Sequence, residues 1–186
     1  MKKETKGIGN LIYAEWLLPI QNYYASLRKN ECIYEVIFPI IVSAISVLLY
    51  KLNNKVNLAL NELSDILPTA ISILIGFTAM LITILLTSSG SNVEKLKAIT
   101  SKNKLNGKEI KLFQKLHIQL SHTLFSEIIL MLLIFLYLFV NGLMINNTFE
   151  CIVLFCTVYL TLNILLSILR GITNIYFSFY EIQKSS

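Results

Sequence analysis

Four long apolar stretches divide the chain, each close to the ~20 residues that a helix needs to cross a hydrocarbon core of about 30 Å. The first runs from Ile33 to Tyr50 and is apolar apart from Glu35 near its start and the small polar residues Ser43 and Ser46. Pro39 falls in its early turns, where a membrane helix tolerates a kink. The second runs from Ile66 to Leu86, with Ser64 or Asp65 available as an N-cap and Pro68 near the first turn, where its missing N–H costs least. The third, Leu124 to Ile145, contains the charge-free run Ile128 to Val140 and follows an amphipathic approach beginning near Lys108, which predicts a long helix projecting from the bilayer. The fourth, Cys151 to Leu169, is separated from the third by only Asn146 to Glu150, the length of a tight helical hairpin, so these two spans are expected to pack antiparallel.

The segments between the stretches are patterned too. Before the first span, Leu11, Ile12, Trp16, Leu17 and Ile20 can share a helical face, with Trp16, Tyr23 and Tyr24 suited to the headgroup boundary, which predicts an interfacial helix. After the second span, Thr87 to Ser91 breaks the chain. Ser91 and Glu94 have capping-box spacing, so a short helix restarts there, presenting Val93, Leu96 and Ile99 on one side and Lys95 and Lys97 on the other until Asn106-Gly107 turns the chain. The tail from Ile172 to Tyr180 is aromatic, and either extends the fourth helix or lies along the interface. The expected architecture is all-α: an integral membrane four-helix bundle with an interfacial amino-terminal arm (1–31), a transmembrane domain (32–170) holding a basic cytoplasmic helical loop (88–123), and a cytoplasmic tail (171–186).

Composition supports a membrane setting. The 186 residues are 55% hydrophobic, with a mean hydropathy of +0.65, above the roughly 45–50% apolar content of soluble domains. Charge sets the expected orientation. Fourteen of the sixteen lysines and arginines lie in the arm, the middle loop and the tail; the opposite side holds only Lys51 and Lys55. Positive charge is retained on the cytoplasmic side, so both termini and the middle loop are assigned to the cytoplasm. The first thirty residues lack the apolar core and cleavage site of a signal peptide, so the amino terminus is expected to remain. Cys32, Cys151 and Cys156 show neither CxxC spacing nor an even count, and read as small packing residues with no disulfide or metal role.

Polar groups at membrane depth carry the most information, because a carboxylate in hydrocarbon needs a partner or marks a pathway. Glu35 and Glu127 each lie about one turn inside a span, where they either pair with Arg28, Lys29 or Lys115 at headgroup level or face a cavity or neighbouring subunit. Asn163 in the fourth span is the residue expected to need an interhelical partner. His117, His122 and Glu127 are spaced by five residues and cannot converge on one metal, so a solvated or hydrogen-bonded interfacial histidine is the expectation for His117 and His122, with a sensor of pH or a ligand as the alternative. In the second span, Ser72, Gly76, Ala79 and Thr83 give a small-residue face, read as the packed centre of the bundle or an oligomer contact, with a pore lining as the alternative. No Gly-rich phosphate loop, Ser/His/Asp order or deep carboxylate pair is present, so no enzyme, cofactor or metal is expected. Lys95, Lys97, Lys102, Lys104 and Lys108 form the candidate partner surface; topology alone accounts for their charge, so direct nucleic-acid binding is not expected.

In length, number of spans, aromatic arm and basic loop, with Leu67-Pro68 followed by Ile75-Gly76-Phe77 in the second span, the layout resembles the membrane subunit (KwaA) of the Kiwa anti-phage system. That resemblance implies an oligomer that senses phage attack at the inner membrane and works with a cytosolic nucleic-acid-binding partner (KwaB-like). The functional expectation is therefore a non-enzymatic sensor or scaffold that recruits a soluble effector; the alternative is a pore-forming or holin-like effector.

Overall fold

The computed structural model describes residues 17–87, 91–105, 107–141 and 146–184, and side chains for all of these except 91–93, 95, 102 and 177–184. Four helices are long and apolar enough to cross a membrane: Lys29–Leu52, Val56–Thr87, Leu112–Val140, and a fourth from Asn147 through Tyr176. The chain is a multi-pass membrane protein. The first span lies along the fourth, the fourth along the third and the third along the second, while the second also touches the fourth.

The helices exceed the apolar stretches that announce them. The second begins at Val56, ten residues before its apolar run, and the first ends at Leu52, so a three-residue turn replaces the expected loop. Asn54 takes a left-handed conformation (φ 52°) in that turn, which Asn tolerates better than most residues. The early start follows from packing: Val56, Ala59 and Leu60 are buried against Tyr137, Val153 and Leu154. Pro68 consequently lies inside a helix rather than at its start, and Ser64 and Asp65 do not cap it. The fourth helix runs to Lys184, so the aromatic tail extends it.

The first span contains a π-helical turn at Ile33–Ile37, followed by Pro39 in the first turn of the resumed α-helix. Wide turns of this kind change which side chains face inward, and this one carries Glu35 at its centre.

The middle segment is not wholly helical. A helix at Ser91–Ala98 is followed by strands β1 (Thr100–Leu105) and β2 (Lys108–Lys111), an antiparallel hairpin turned at Gly107 (φ 79°). Its register is irregular between Thr100 and Lys104, and Asn103 is turned inward, 2% exposed. We call this helix and hairpin the cap. Its Leu96 and Ile110 are buried. The third helix then starts at Leu112, absorbing the last third of the stretch 88–123 expected as loop.

The arm expectation falls partly outside the described residues, since Leu11, Ile12 and Trp16 precede them. What is described is a helix at Leu18–Ser26 packed on the beginning of the third span and touching β1. Tyr23 is buried there, 1% exposed, whereas Tyr24 is exposed. Arm, cap and carboxyl-terminal helix meet at one end, the basic end of the bundle.

Candidate functional site

The basic end is held by a buried ion network centred on Glu31. Glu31 lies in the first turn of the first span's helix, where a carboxylate complements the helix N-terminus. It accepts from the Arg28 main-chain N–H at 3.0 Å and from the Arg28 guanidinium at 2.9 and 3.1 Å. Lys115 Nζ, from the third span, donates to the same carboxylate at 3.0 Å. Asn103 Nδ2, from β1, donates to it at 2.7 Å and to the Ser26 carbonyl at 2.9 Å. Arg170 Nη1, from the fourth span, ion-pairs with it at 3.4 Å. One carboxylate thus gathers the first, third and fourth spans and the cap, and Asn103 adds the arm.

Glu35, one turn further in, is the second centre and is fully buried. Its Oε2 accepts from the Tyr23 hydroxyl, and Arg170 Nε lies 2.6 Å from its Oε1 as an ion pair without hydrogen-bond geometry. The Glu35 carbonyl accepts from Asn163 Nδ2 at 2.8 Å. His122 stacks on Tyr23, ring centroids 3.7 Å apart and planes within 8°, with Arg170 on the tyrosine ring at 5.6 Å. His122 is 2% exposed and its Nδ1 has no hydrogen-bond partner, which corrects the expectation of a hydrogen-bonded interfacial histidine. Burial, reinforced by the neighbouring Glu35, pushes the Tyr23 phenol above its ordinary range; burial and the Tyr159 hydroxyl do the same to Tyr24.

The partners expected for Glu35 and Glu127 go elsewhere. Arg28 and Lys115 pair with Glu31, and Glu35 takes Arg170. Glu127, fully buried, accepts from Thr78 Oγ1 at 2.9 Å, and its Oε2 has no hydrogen-bond partner. Thr78 lies near the midpoint of the apolar stretch 66–86, so Glu127 sits at mid-depth in the bundle, not at headgroup level. Below the ion network, Gln119 Nε2 donates to the Ser167 carbonyl and Thr123 bonds Ser167 at 2.9 Å, continuing a polar seam along the third span toward Glu127. Beyond Glu127 an apolar layer of Ile71, Leu130, Ile134 and Ile164 closes it.

The small-residue face of the second span points outward. Ser72, Gly76 and Thr83 are exposed and Ala79 is half-buried, so they are not the packed centre of the bundle. A Cβ added at Gly76 would meet nothing within 4 Å. The Ser72 and Thr83 hydroxyls bond their own helix, to Pro68 and Ala79 carbonyls at 2.7 and 2.9 Å, which satisfies them on an apolar surface. Among the basic residues, Lys97, Lys104 and Lys108 are exposed on the cap; the side chains of Lys95 and Lys102 lie outside the described ones.

Sequence reasoning did not single out Glu31, Arg170, Tyr23 or Asn103 as site residues. A usable signal was present in part: Arg28 and Glu31 stand three apart on one helix turn, and Arg170 closes an apolar run opposite them. Among the described residues, no group of three or more His, Cys, Asp or Glu side chains is placed to hold a metal ion. Chemically, the arrangement fixes charges and couples elements. No family model, curated protein or solved structure matches the chain.

Proposed function

We propose that this chain is a non-enzymatic sensor or scaffold of the bacterial cytoplasmic membrane, acting in anti-phage defence, that assembles with copies of itself and presents its cap to a cytosolic effector. The observation that carries this reading is the Asn103–Glu31 bond at 2.7 Å. Through it the cap shares one carboxylate with Lys115 of the third span and Arg170 of the fourth. A shift of the first, third or fourth span changes the partners of Glu31 and so reaches the cap. Packed interiors pass on such shifts because they switch between discrete arrangements rather than deforming smoothly. Exposed Lys97, Lys104 and Lys108 suit the cap to an acidic protein surface. The positive-inside bias supports its cytoplasmic placement, and the Kiwa-like layout supplies the defence context and a nucleic-acid-binding soluble companion.

The test is charge reversal on the cap. Lys97, Lys104 and Lys108 changed together to Glu abolish co-purification of a soluble companion encoded beside this gene, while the variant still fractionates with membranes. Unchanged co-purification counts against the reading. A second reading, a pore-forming or holin-like effector, is favoured by the outward face of Ser72, Gly76 and Thr83, which copies of the second span could turn toward one another. Potassium release on expression, lost in Gly76→Trp while assembly persists, would favour it over the scaffold.

A further inference from the structure

The buried face of the third span changes character partway along. Lys115, Gln119, Thr123 and Glu127 stand at successive fourth positions, so they form one ridge on the helix, and each is at most 7% exposed. At a rise of about 1.5 Å per residue this ridge is roughly 18 Å long. It begins in the ion network, where Lys115 meets Glu31, and Ser167 of the fourth span bonds both Gln119 and Thr123. Beyond Glu127 the buried positions are Leu130 and Ile134. Polar groups therefore lead in from the basic end and stop at a carboxyl.

Glu127 differs from the other two buried glutamates of the spans. Glu31 and Glu35 are ion-paired, whereas among the described residues no cation pairs with Glu127. Its one bond comes from Thr78 Oγ1, and its Oε2 is buried with no hydrogen-bond partner. The groups that could offset a charge there are absent or committed. The second span carries no ionisable side chain between Asp65 and Thr87. From the fourth span, Arg170 is paired with Glu31 and Glu35, while Tyr159 and Cys156 are neutral side chains that bring no cation. From the arm, Tyr23 bonds Glu35, with His122 of the third span stacked on its ring, and Tyr24 reaches Tyr159. A carboxylate stranded in this way is strongly disfavoured in its ionised form.

We propose that Glu127 is a proton-binding site inside the bundle, loaded from the basic end along the ridge of Gln119 and Thr123 and closed on its far side by the apolar layer of Ile71, Leu130, Ile134 and Ile164. A proton is the one cation that needs no further ligand. A metal ion would need several oxygen ligands and finds one carboxylate and one hydroxyl, and a cation of a neighbouring copy cannot reach a side chain that is 0% exposed. Hydroxyls and the waters that buried polar groups hold can carry the proton in. Its departure leaves bare charge between the second and third spans, so proton occupancy and the packing of those two spans are linked. The site stands whether or not the chain recruits an effector.

The test is infrared spectroscopy of the full chain in an ester-free detergent. At neutral pH the wild-type protein shows the carbonyl stretch of a protonated carboxyl, which Glu127→Gln lacks and which alkaline buffer replaces with carboxylate absorption. In deuterium oxide the band shifts, and Thr123→Val, which keeps the side-chain shape and removes the hydroxyl, slows that shift severalfold. Absence of the band from the wild-type protein at neutral pH overturns the proposal, as does a band of equal strength in Glu127→Gln, which then belongs to another carboxyl. An unchanged exchange rate in Thr123→Val overturns loading along the ridge. Should Glu127→Gln fail to fold, the wild-type protein treated with dicyclohexylcarbodiimide, which adds to protonated carboxyls in apolar surroundings, decides by peptide mass mapping: an adduct on Glu127 supports the site, and an unmodified Glu127 overturns it.

Discussion

Asn163 of the fourth span donates its side-chain N–H to the main-chain carbonyl of Glu35 in the first, at 2.8 Å. Pro39 is the reason that carbonyl needs a donor. In an α-helix the carbonyl of Glu35 would receive the N–H of the residue four positions on, and proline has none. The proline and the asparagine are therefore two halves of one joint. Asn163→Ala should cost about 1 kcal/mol of bundle stability by leaving a buried carbonyl unpaired. Pro39→Ala restores a main-chain donor, so in that background the same substitution should cost less than half as much. The two effects can be compared by steric-trap unfolding in detergent, and strict additivity would break the link.

Arg170 carries more. It is the only cation paired with Glu35 among the described residues, and it also contributes to Glu31. Removing one partner of a buried pair typically costs about 3–5 kcal/mol because the remaining charge is stranded. Arg170→Met should thus lower the midpoint of thermal aggregation in detergent sharply. Adding Glu35→Gln, which keeps an acceptor for the Tyr23 hydroxyl, should recover most of the loss. Failure of the second change to rescue would mean that Arg170 acts through packing or through Glu31 alone.

The same residues show how far the sequence could be read. Hydropathy found four spans because lipid imposes a length and a polarity on any helix that crosses it. It could not find the true start of the second helix, because Asn57, Asn61, Glu62 and Asp65 look like loop, while Val56, Ala59 and Leu60 are buried against Tyr137, Val153 and Leu154, some eighty to a hundred positions away. The β-hairpin was hidden likewise: the strand Thr100–Leu105 carries lysines and an asparagine rather than alternating apolar residues, and Asn103 faces inward to meet Glu31. Asn163 was legible as a group that needs a partner, but which atom it meets depended on a π-helical turn around Glu35 that no local pattern signals.

Tyr23 offers a spectroscopic test of the arm's seat. Burial and Glu35 raise its phenol above the ordinary tyrosine range. Because the folded value exceeds the unfolded one, this stabilisation is complete below about pH 10 and is lost as the pH rises above it, when the unfolded phenol ionises first. The phenolate absorbance of the folded protein should therefore show a late component, to which Tyr23 and Tyr24 both contribute and which Tyr23→Phe reduces. Tyr23→Phe should retain the stack on His122 and lose only the bond to Glu35. A late component undiminished in Tyr23→Phe would mean that the arm helix is not seated against Glu35.

Orientation is the premise on which an effector-facing cap depends, and the geometry makes it testable with single cysteines. Arm, cap and Arg170 share one end of the bundle, whereas the Asn53–Lys55 turn lies at the other. Lys108 and Lys55 are both exposed, so a thiol at either position is open to reagents if its side is. With Cys32, Cys151 and Cys156 first replaced by Ala, Lys55→Cys should react in intact cells with a charged maleimide that does not cross membranes. Lys108→Cys should react only after permeabilisation. The bias behind this expectation is large, fourteen basic residues against two, and moving single lysines should not reverse it. Labelling of Lys108→Cys in intact cells would put the cap outside, beyond the reach of any cytosolic effector.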